Sequence, residues 1–248
     1  MKTVKMEDLV SAVRVKLDEI GLNDSEFAPD VDTSGTVADK DEEELDTIIK
    51  SCFDEAVRYV FTNADTNLLE ANHEQEFEYD EGGEEGAITP ELSLEVEGTT
   101  EGASIAGELY RLVYGKLDCW ARAVERPIFW TDKEYARLED PLAMGTPERP
   151  EIGIRVGRNF SSKKKEYVLT FYSAKDTAGF GVLSLLVHPK ADENGQYSIP
   201  DRLVPALVWY MAGQTLTTLR DQHAEAMFQQ ALLAMGRQDK VSDTGPQG

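Results

Sequence analysis

The sequence contains few of the side chains that covalent or catalytic chemistry usually requires. Its 248 residues include two cysteines and three histidines. Two cysteines are too few for a disulfide scaffold, and neither Cys52 nor Cys119 lies in a CxxC motif. Both are therefore predicted to be reduced core residues of a cytosolic product. The histidines are far apart in sequence and neither cysteine has a nearby base, so a nucleophilic triad has no local support.

Nucleotide-binding and acid–base signatures are missing as well. The sequence has no GxGxxG segment after a predicted strand and no phosphate loop of the Walker type. Carboxylates are so abundant that no single pair of them indicates an acid–base dyad. We therefore predict that the chain is not an enzyme and that it carries no cofactor.

Positive charge is also scarce. The chain has 25 Lys+Arg against 47 Asp+Glu, a formal net charge of −22, and residues 59–110 contain no Lys or Arg. Binding to phosphates requires clustered positive side chains, so nucleic acids and anionic membranes are unfavourable partners.

Long hydrophobic runs are lacking too. The apolar run that begins at Leu203 ends at Gln214, after about half of the roughly 20 residues needed to span a bilayer. The N-terminus, "MKTVKMEDLVSAVRV", has no uninterrupted apolar h-region and so no secretory signal. We predict no membrane association.

What the sequence does contain is helical spacing of apolar residues at both ends. Met6 to Ile20 predicts a first helix, with Gly21 placed to end it. Leu45 to Val60 predicts a second helix, which opens with the acidic stretch "DKDEEE". The two are expected to form a helical hairpin. Residues 203–235 predict one long closing helix, whose first half, Leu203 to Ala212, is expected to pack within the subunit.

The middle of the chain predicts strands. Apolar residues alternate in "ELSLEV", "EIGIRVGRN" and "EYVLTFYSA", with the polar hairpin loop "NFSSKKK" between the last two, and "GVLSLLVHP" is a further candidate strand. Residues 105–120 show a weaker helical spacing. The predicted fold class is α+β, with an N-terminal helical hairpin and a long C-terminal helix packed together and a small antiparallel β-rich insertion between them.

These elements predict one structural domain built from consecutive segments. The segments are a helical hairpin at 1–69, an acidic loop and short strand at 70–104, a mixed segment with an antiparallel sheet at 105–190, the C-terminal helix at 191–235 and a polar tail at 236–248.

One loop between the first two helices resembles a calcium-binding EF-hand loop. In "DVDTSGTVADKD", Gly35 stands at the turn position, and oxygen-bearing side chains occupy positions one, three, five, seven and twelve. These candidate ligands are Asp30, Asp32, Ser34, Thr36 and Asp41. Two features argue against a site: Asp at position twelve is shorter than the usual Glu, and Pro29 stands where a helix should enter. The alternative is a polar turn that joins the two helices.

The arrangement of the chain resembles a head–tail adaptor, or connector, of podovirus-type bacteriophages, and the ring proteins of crAss-like phages. "MEDLVSAVRVKLDEIG" with "DEEELDTIIKSCFDEAVRYV" resembles the opening helical pair of that family. "LVYGKLDCWARAV", "GTPERPEIGI" and "KKKEYVLTFYSA" resemble its middle β-containing insertion, and "IPDRLVPALVWYMAGQTLTTLRDQHAEAMFQQALLAM" resembles its closing helix. The acidic segment 70–101 is longer and more charged than this family would suggest.

The resemblance implies a structural protein without catalytic residues. It would be a virion component at the head–tail junction, assembled in the host cytoplasm into a homo-oligomeric ring. The resemblance implies twelve copies in that ring. Its partners would be the portal protein and the tail or next-ring proteins, and DNA would pass through without specific binding. A wall rich in carboxylates would repel that DNA at close range, so we expect many acids of 59–110 to face the bore or an outer surface. Solubility alone is the other explanation of the charge.

A ring of identical subunits needs two different contact faces on each copy. The second half of the closing helix offers a narrow apolar stripe for a neighbour. The candidate interface residues are Leu216, Leu219, His223, Met227 and Leu233.

Two other functions remain open at this point. Dense carboxylates are also typical of DNA-mimic inhibitors, which would bind a basic host protein and stay small. A calcium-dependent interaction module built on Asp30 to Asp41 is the third possibility, and calorimetric titration that gives no heat at millimolar calcium would exclude it.

Overall fold

A computed structural model describes residues 2–19, 37–79, 90–97, 104–138, 140, 146–172 and 178–237. Contacts divide the chain into two compact units. The helical unit comprises Met1–Leu69 and Ala191–Gly248, and the β unit comprises Glu70–Lys190. Two compact units are compatible with one folding domain or with two, so the single-domain expectation stays a prediction.

The helical unit is built around one central helix. It contains α1 (Met6–Glu19), α2 (Val37–Ser51), α3 (Phe53–Asn63), α5 (Val204–Thr218) and α6 (Ala224–Ala234), with short 3-10 turns at Thr66–Leu68 and Asp201–Leu203. A two-stranded antiparallel sheet pairs β1 (Lys2–Lys5) with β10 (Gln196–Ile199). Helix α5 contacts α1, α2, α3 and α6. A helix that neighbours surround must be apolar on most of its circumference, and the sequence of α5 meets that requirement.

The first half of the predicted closing helix is buried, as the sequence indicated. Leu203, Leu207, Met211 and Ala212 are all fully buried. The hydroxyl of Thr215, the one fully buried polar residue among those described, donates to the carbonyl of Met211 at 2.9 Å, which satisfies it inside the core.

The β unit contains two sheets. Strand order is β2–β9–β5 in the first and β4–β3–β8–β7–β6 in the second. The strands are β2 (His73–Tyr79), β3 (Glu91–Val96), β4 (Ser104–Ile105), β5 (Leu109–Leu117), β6 (Ile128–Phe129), β7 (Glu151–Arg158), β8 (Lys165–Tyr172) and β9 (Gly179–Val187), with a short helix α4 (Tyr135–Leu138). All pairs are antiparallel except β3 with β4 and β6 with β7.

The two sheets share one apolar core. The ring of Phe171 on β8 lies 4.9 Å from the ring of Phe77 on β2 and 6.0 Å from that of Trp120. A Cβ on Gly115 of β5 would come within 2.5 Å of Ile152 on β7. The core joins buried residues from both sheets, among them Leu94, Ile154, Leu169, Leu183 and Leu185. This arrangement is a sandwich, in which the two sheets pack their facing sides together.

The predicted fold class is therefore wrong. It underestimated the amount of β-structure, and it merged separate helices at both ends of the chain into single long ones. The structure is a mixed α/β protein in which ten strands form three sheets across the described residues, instead of a small β insertion between a helical hairpin and one long helix. The predicted second helix is two helices, α2 and α3, and the predicted closing helix is also two, α5 and α6.

The break between α2 and α3 lies at Cys52. Two side chains, the Ser51 hydroxyl and the Cys52 thiol, donate to the carbonyl of Ile48 at 2.7 Å and 3.3 Å. The N–H of Cys52 bonds instead to the carbonyl of Ile49 at 3.1 Å. Side chains that donate to a backbone carbonyl compete with the backbone hydrogen bonds of a helix. At Cys52 these side-chain bonds occur where the regular helical hydrogen bonds are interrupted.

The break between α5 and α6 is a Schellman motif without glycine. The N–H of Asp221 bonds to the carbonyl of Leu216 at 2.9 Å, and the N–H of Arg220 bonds to that of Thr217 at 3.1 Å. Arg220 has φ of 59°, the left-handed conformation that this motif requires. Helix α6 ends in the same way at Gly236, with φ of 76°. A helix stop at Arg220 has no glycine to signal it in the sequence.

The weak helical spacing at 105–120 also misled the prediction, since residues 109–117 form strand β5. The pairing of β5 with β9 shifts register between Leu109 and Arg111 and again between Leu112 and Tyr114. Each such irregularity adds a residue to one strand, so buried Leu109 and Leu112 come three residues apart. Bulges of this kind imitate a helical period.

Other elements agree with the sequence. Helix α1 and strands β3, β7, β8 and β9 lie where their patterns predicted, and β7 and β8 form an antiparallel hairpin. Within the described ranges, no helix combines the length and apolarity needed to cross a membrane. Of the polar tail, residues 238–248 lie outside the described part of the chain.

We expect Gly181→Ala to destabilise the protein by about 1–3 kcal/mol, because the new methyl group would overpack the core. Its Cβ would lie 2.9 Å from the Leu117 side chain and closer still to the ring of Phe77. Equilibrium unfolding in denaturant measures the effect. Adding Phe77→Leu should recover part of the loss, whereas strictly additive losses would contradict this packing argument.

Candidate functional site

The five candidate interface residues of the C-terminal region occupy different environments. Leu216 and Met227 are buried inside the helical unit, at 0% and 4% exposure. Leu219 is half-buried, while His223 and Leu233 are exposed. Because α6 folds back on α5, Phe228 packs over Gly213 and Tyr210. Most of the predicted apolar stripe therefore packs against other residues of the same chain. Because Met227 is buried there, a Met227→Asp variant would disturb folding and could not report on assembly alone.

The calcium candidates cannot be placed. Asp30, Asp32, Ser34 and Thr36 lie outside the described residues, and Asp41 falls in α2 with a side chain that is likewise outside them. Among the residues that the structure describes, no three His, Cys, Asp or Glu side chains form a group that could hold a metal ion.

The histidines and cysteines serve local packing and hydrogen bonds. His188 Nδ1 lies 2.9 Å from the Tyr110 hydroxyl, and His223 Nδ1 lies 2.8 Å from the Asp221 carboxylate. Burial lowers the pKa of His73, which favours its neutral form. Burial likewise raises the pKa of the Cys52 thiol and so disfavours the thiolate. The raised pKa leaves Cys52 as a neutral thiol, which is a poor nucleophile.

A groove of about 640 Å³ runs along α3 in the helical unit. Its wall includes the stacked rings of Tyr59 and Tyr210, whose centroids are 4.4 Å apart. Burial, with the nearby charge of Glu55, raises the pKa of Tyr210 and keeps its hydroxyl protonated. The groove is open and offers a shallow aromatic surface.

The hairpin between β7 and β8 carries the most exposed aromatic residue of those that the structure describes. We call residues 158–164 the hairpin tip. Phe160 at this tip is 91% exposed, and Arg158 and Lys163 beside it are also exposed. In a chain of net charge −22, a basic segment with a solvent-facing aromatic ring is an unusual local composition.

The hairpin tip is held in shape by its own side chains. Asn159 Oδ1 accepts hydrogen bonds from the backbone N–H groups of Ser161 and Ser162 at 2.9 and 3.2 Å. This side-chain turn explains why a polar sequence folds into a compact loop. At its base, Ser162 donates to the carboxylate of Glu95, and Lys164 donates to the backbone carbonyl of Glu97. The anchored base fixes where Phe160 projects.

The outward face of the three-stranded sheet is the second unusual surface, which we call the sheet face. Cross-strand partners in an antiparallel pair project to the same side. Glu76 pairs with Val182 and Glu78 with Phe180, while Lys116 of β5 pairs with Val182 from the other side. The sheet face consists of Glu74, Glu76, Glu78, Val182, Phe180, Ser184, Tyr114 and Lys116. Phe180 is 62% exposed, so a row of glutamates borders an apolar strip.

Asp118 fixes the end of that apolar strip. Its carboxylate accepts hydrogen bonds from the N–H of Phe180 at 3.1 Å, the N–H of Cys119 at 2.8 Å and the hydroxyl of Tyr79 at 3.0 Å. Desolvation alone would raise the pKa of Asp118, but these hydrogen bonds outweigh it and lower the pKa from the usual value of an aspartate. Burial and the same carboxylate raise the pKa of Tyr79, so its hydroxyl remains a donor.

These two surfaces were not identified from the sequence. The loop "NFSSKKK" was predicted as a polar hairpin, but nothing in it told that Phe160 would project into solvent. The sheet face had a usable signal, since Glu74, Glu76 and Glu78 alternate with less polar residues in "HEQEFEY". That pattern was hidden within a long acidic segment. The hairpin tip can bind an apolar group that lies beside negative charges. The sheet face can bind an apolar group that lies beside positive charges.

No family model, curated protein or solved structure matches the chain at the similarity needed for an assignment.

We expect Asp118→Asn to destabilise the protein by about 1 kcal/mol near neutral pH, because the amide presents a donor where the carboxylate accepts hydrogen bonds. A carboxylate whose pKa is lowered by folding stabilises the protein above its ordinary pKa, which is 3.8 for an aspartate. The stabilisation is lost as the pH falls through the lowered pKa of the folded state. The difference in unfolding free energy between the variant and the wild type should therefore shrink below pH 3.8. Glu193→Gln, at an exposed loop position, is the matched control and should show little effect at either pH.

Proposed function

We propose that this protein is a structural subunit of a bacteriophage virion, a connector that forms a homo-oligomeric ring between the portal and the tail. The observation that carries the proposal is the pair of unlike exposed surfaces on the β unit. The hairpin tip is basic with one protruding ring, and the sheet face is acidic with an apolar strip. Two different faces on one chain suit contacts that repeat around an axis and close into a ring.

The overall charge supports the same role. A formal charge of −22 disfavours attachment to the phosphate backbone, and a passage for DNA must not hold what moves through it. Which of the acids between residues 59 and 110 line the bore stays a prediction. In this proposal the portal protein and the tail or next-ring proteins are the partners, the site of action is the head–tail junction, and the protein performs no catalysis.

The organisation of the chain gives further support. The helical unit combines residues from both sides of the β unit in the sequence, so the β unit is an insertion. In the proposed assembly, the β unit makes the contacts between neighbouring copies, and the helical unit is left for contacts to other proteins of the virion. The exposed side chains of His223 and Leu233 on the helical unit are candidates for that second use.

One observation favours a second candidate, the DNA-mimic inhibitor. Alternate residues of a strand lie about 7 Å apart, so Glu74, Glu76 and Glu78 form a regular row of negative charges on an exposed face. Such a row can imitate consecutive phosphates. A protein of this kind would bind a basic partner and would remain a single chain by itself.

Sizing the full chain, alone and with a candidate portal protein, separates the two functions. We expect the connector to form rings or to join the portal in many copies, as measured by sedimentation velocity and seen by electron microscopy. Raising salt from 0.05 to about 1 M shortens the Debye length and should weaken any contact that uses opposite charges. A chain that keeps the mass of one copy in both settings, at every concentration, would reject the connector and favour the inhibitor.

A further inference from the structure

We propose that the hairpin tip of one copy docks on the sheet face of the next copy. This inference rests on the proposed function, because it names the contact by which neighbouring subunits join. It commits to one occupant of the sheet face, a second copy of this chain.

The apolar parts of the two surfaces match. Phe160 is 91% exposed, so its ring does not cover the sheet face of its own chain. On the sheet face, Phe180 is 62% and Val182 is 37% exposed, and Tyr114 lies at the neighbouring position across the strands. Aromatic side chains anchored in a desolvated apolar surface dominate the energetics of many interfaces. Docking would remove all of these apolar groups from water together.

The charges of the hairpin tip and of the sheet face are also complementary. Arg158 and Lys163 flank Phe160, and Glu76 and Glu78 are the direct cross-strand partners of Val182 and Phe180. A basic rim around an apolar anchor would therefore meet an acidic rim beside an apolar strip. Lys116 is the one positive charge on the sheet face, on the side away from the glutamate row. Complementary charges of this kind fix register and reject wrong partners.

The combination of charge and apolar surface identifies the occupant. A basic tip could bind any acidic body, and the net charge of −22 opposes the approach of DNA and of a second copy alike. A second copy offers acidic side chains and an apolar strip in one place, which a phosphate backbone does not. Because the two surfaces are different, the contact is heterologous and leaves one free tip and one free sheet face at the ends of any open chain.

The geometry of both surfaces favours a preformed contact. The hairpin tip is anchored through Ser162 to Glu95 and through Lys164 to Glu97. The sheet face is fixed at Phe180 by the Asp118 carboxylate. Binding between surfaces that are already ordered loses little conformational entropy.

The test uses two full-length variants that each remove one side of the contact. The tip variant combines Phe160→Ser with Lys163→Glu, and the face variant combines Phe180→Ser with Glu76→Lys. All four positions are exposed, so thermal unfolding should report folded proteins in both cases. Trp130→Ser, at a position 54% exposed outside both surfaces, is the matched control.

We expect each variant alone to lose assembly under the conditions in which the wild type and the Trp130→Ser control assemble. The lateral association constant should fall roughly tenfold or more in each variant. An equimolar mixture of the two variants should form a one-to-one complex and nothing larger, because one intact tip and one intact sheet face remain between them. Sedimentation velocity distinguishes these species.

Several outcomes would overturn the inference. Tip and face variants that form rings as the wild type does would remove this contact and leave the connector function standing. Two monomeric variants whose mixture forms no heterodimer would show that the surfaces do not bind each other. A tip variant that assembles normally but loses binding to a labelled DNA duplex would make DNA the occupant. Wild-type chains that stay monomeric with and without the portal would reject both proposals.

Discussion

The apolar core shared by the two sheets determines what the β unit presents to solvent. Side chains of a strand alternate between faces, so once Phe77, Leu183 and Leu185 turn toward Phe171 and its neighbours, the residues between them must face outward. Glu76, Glu78, Phe180 and Val182 are exposed for that reason. The surface pattern from which we infer function is thus a consequence of how the interior packs.

The same dependence holds in the helical unit. Helix α5 can be apolar around most of its circumference because α1, α2, α3 and α6 cover it. The return of α6 onto α5 requires Arg220 to adopt a left-handed conformation, and this turn places Phe228 over Gly213. The apolar residues after Leu216 are therefore used largely inside the chain. Among the described residues, most of the large exposed apolar side chains lie on the β unit.

Sequence reasoning predicted the parts of this fold whose signals are local and regular. Strand β7 alternates apolar and more polar positions, β8 and β9 are short runs rich in apolar residues, and α1 has an uninterrupted apolar stripe. It failed where tertiary context changed the period or ended an element without a marker residue. The bulges of β5 set Leu109 and Leu112 at a helical distance, and the Schellman turn has Arg220 in place of glycine. For the candidate surfaces, charge and composition were readable, but which face a residue occupies depends on pairing that the sequence alone did not provide.

The position of β2 has one more consequence. Among the described strands it pairs only with β9, so one of its edges has backbone groups without a strand partner. Exposed edges of this kind invite strand-by-strand addition of further chains, which ends in insoluble fibrils. Three glutamates within seven residues place like charges opposite one another when identical copies add with the same side chains on the same face. The strand thereby discourages open-ended polymerisation and leaves association to surfaces that can close on themselves.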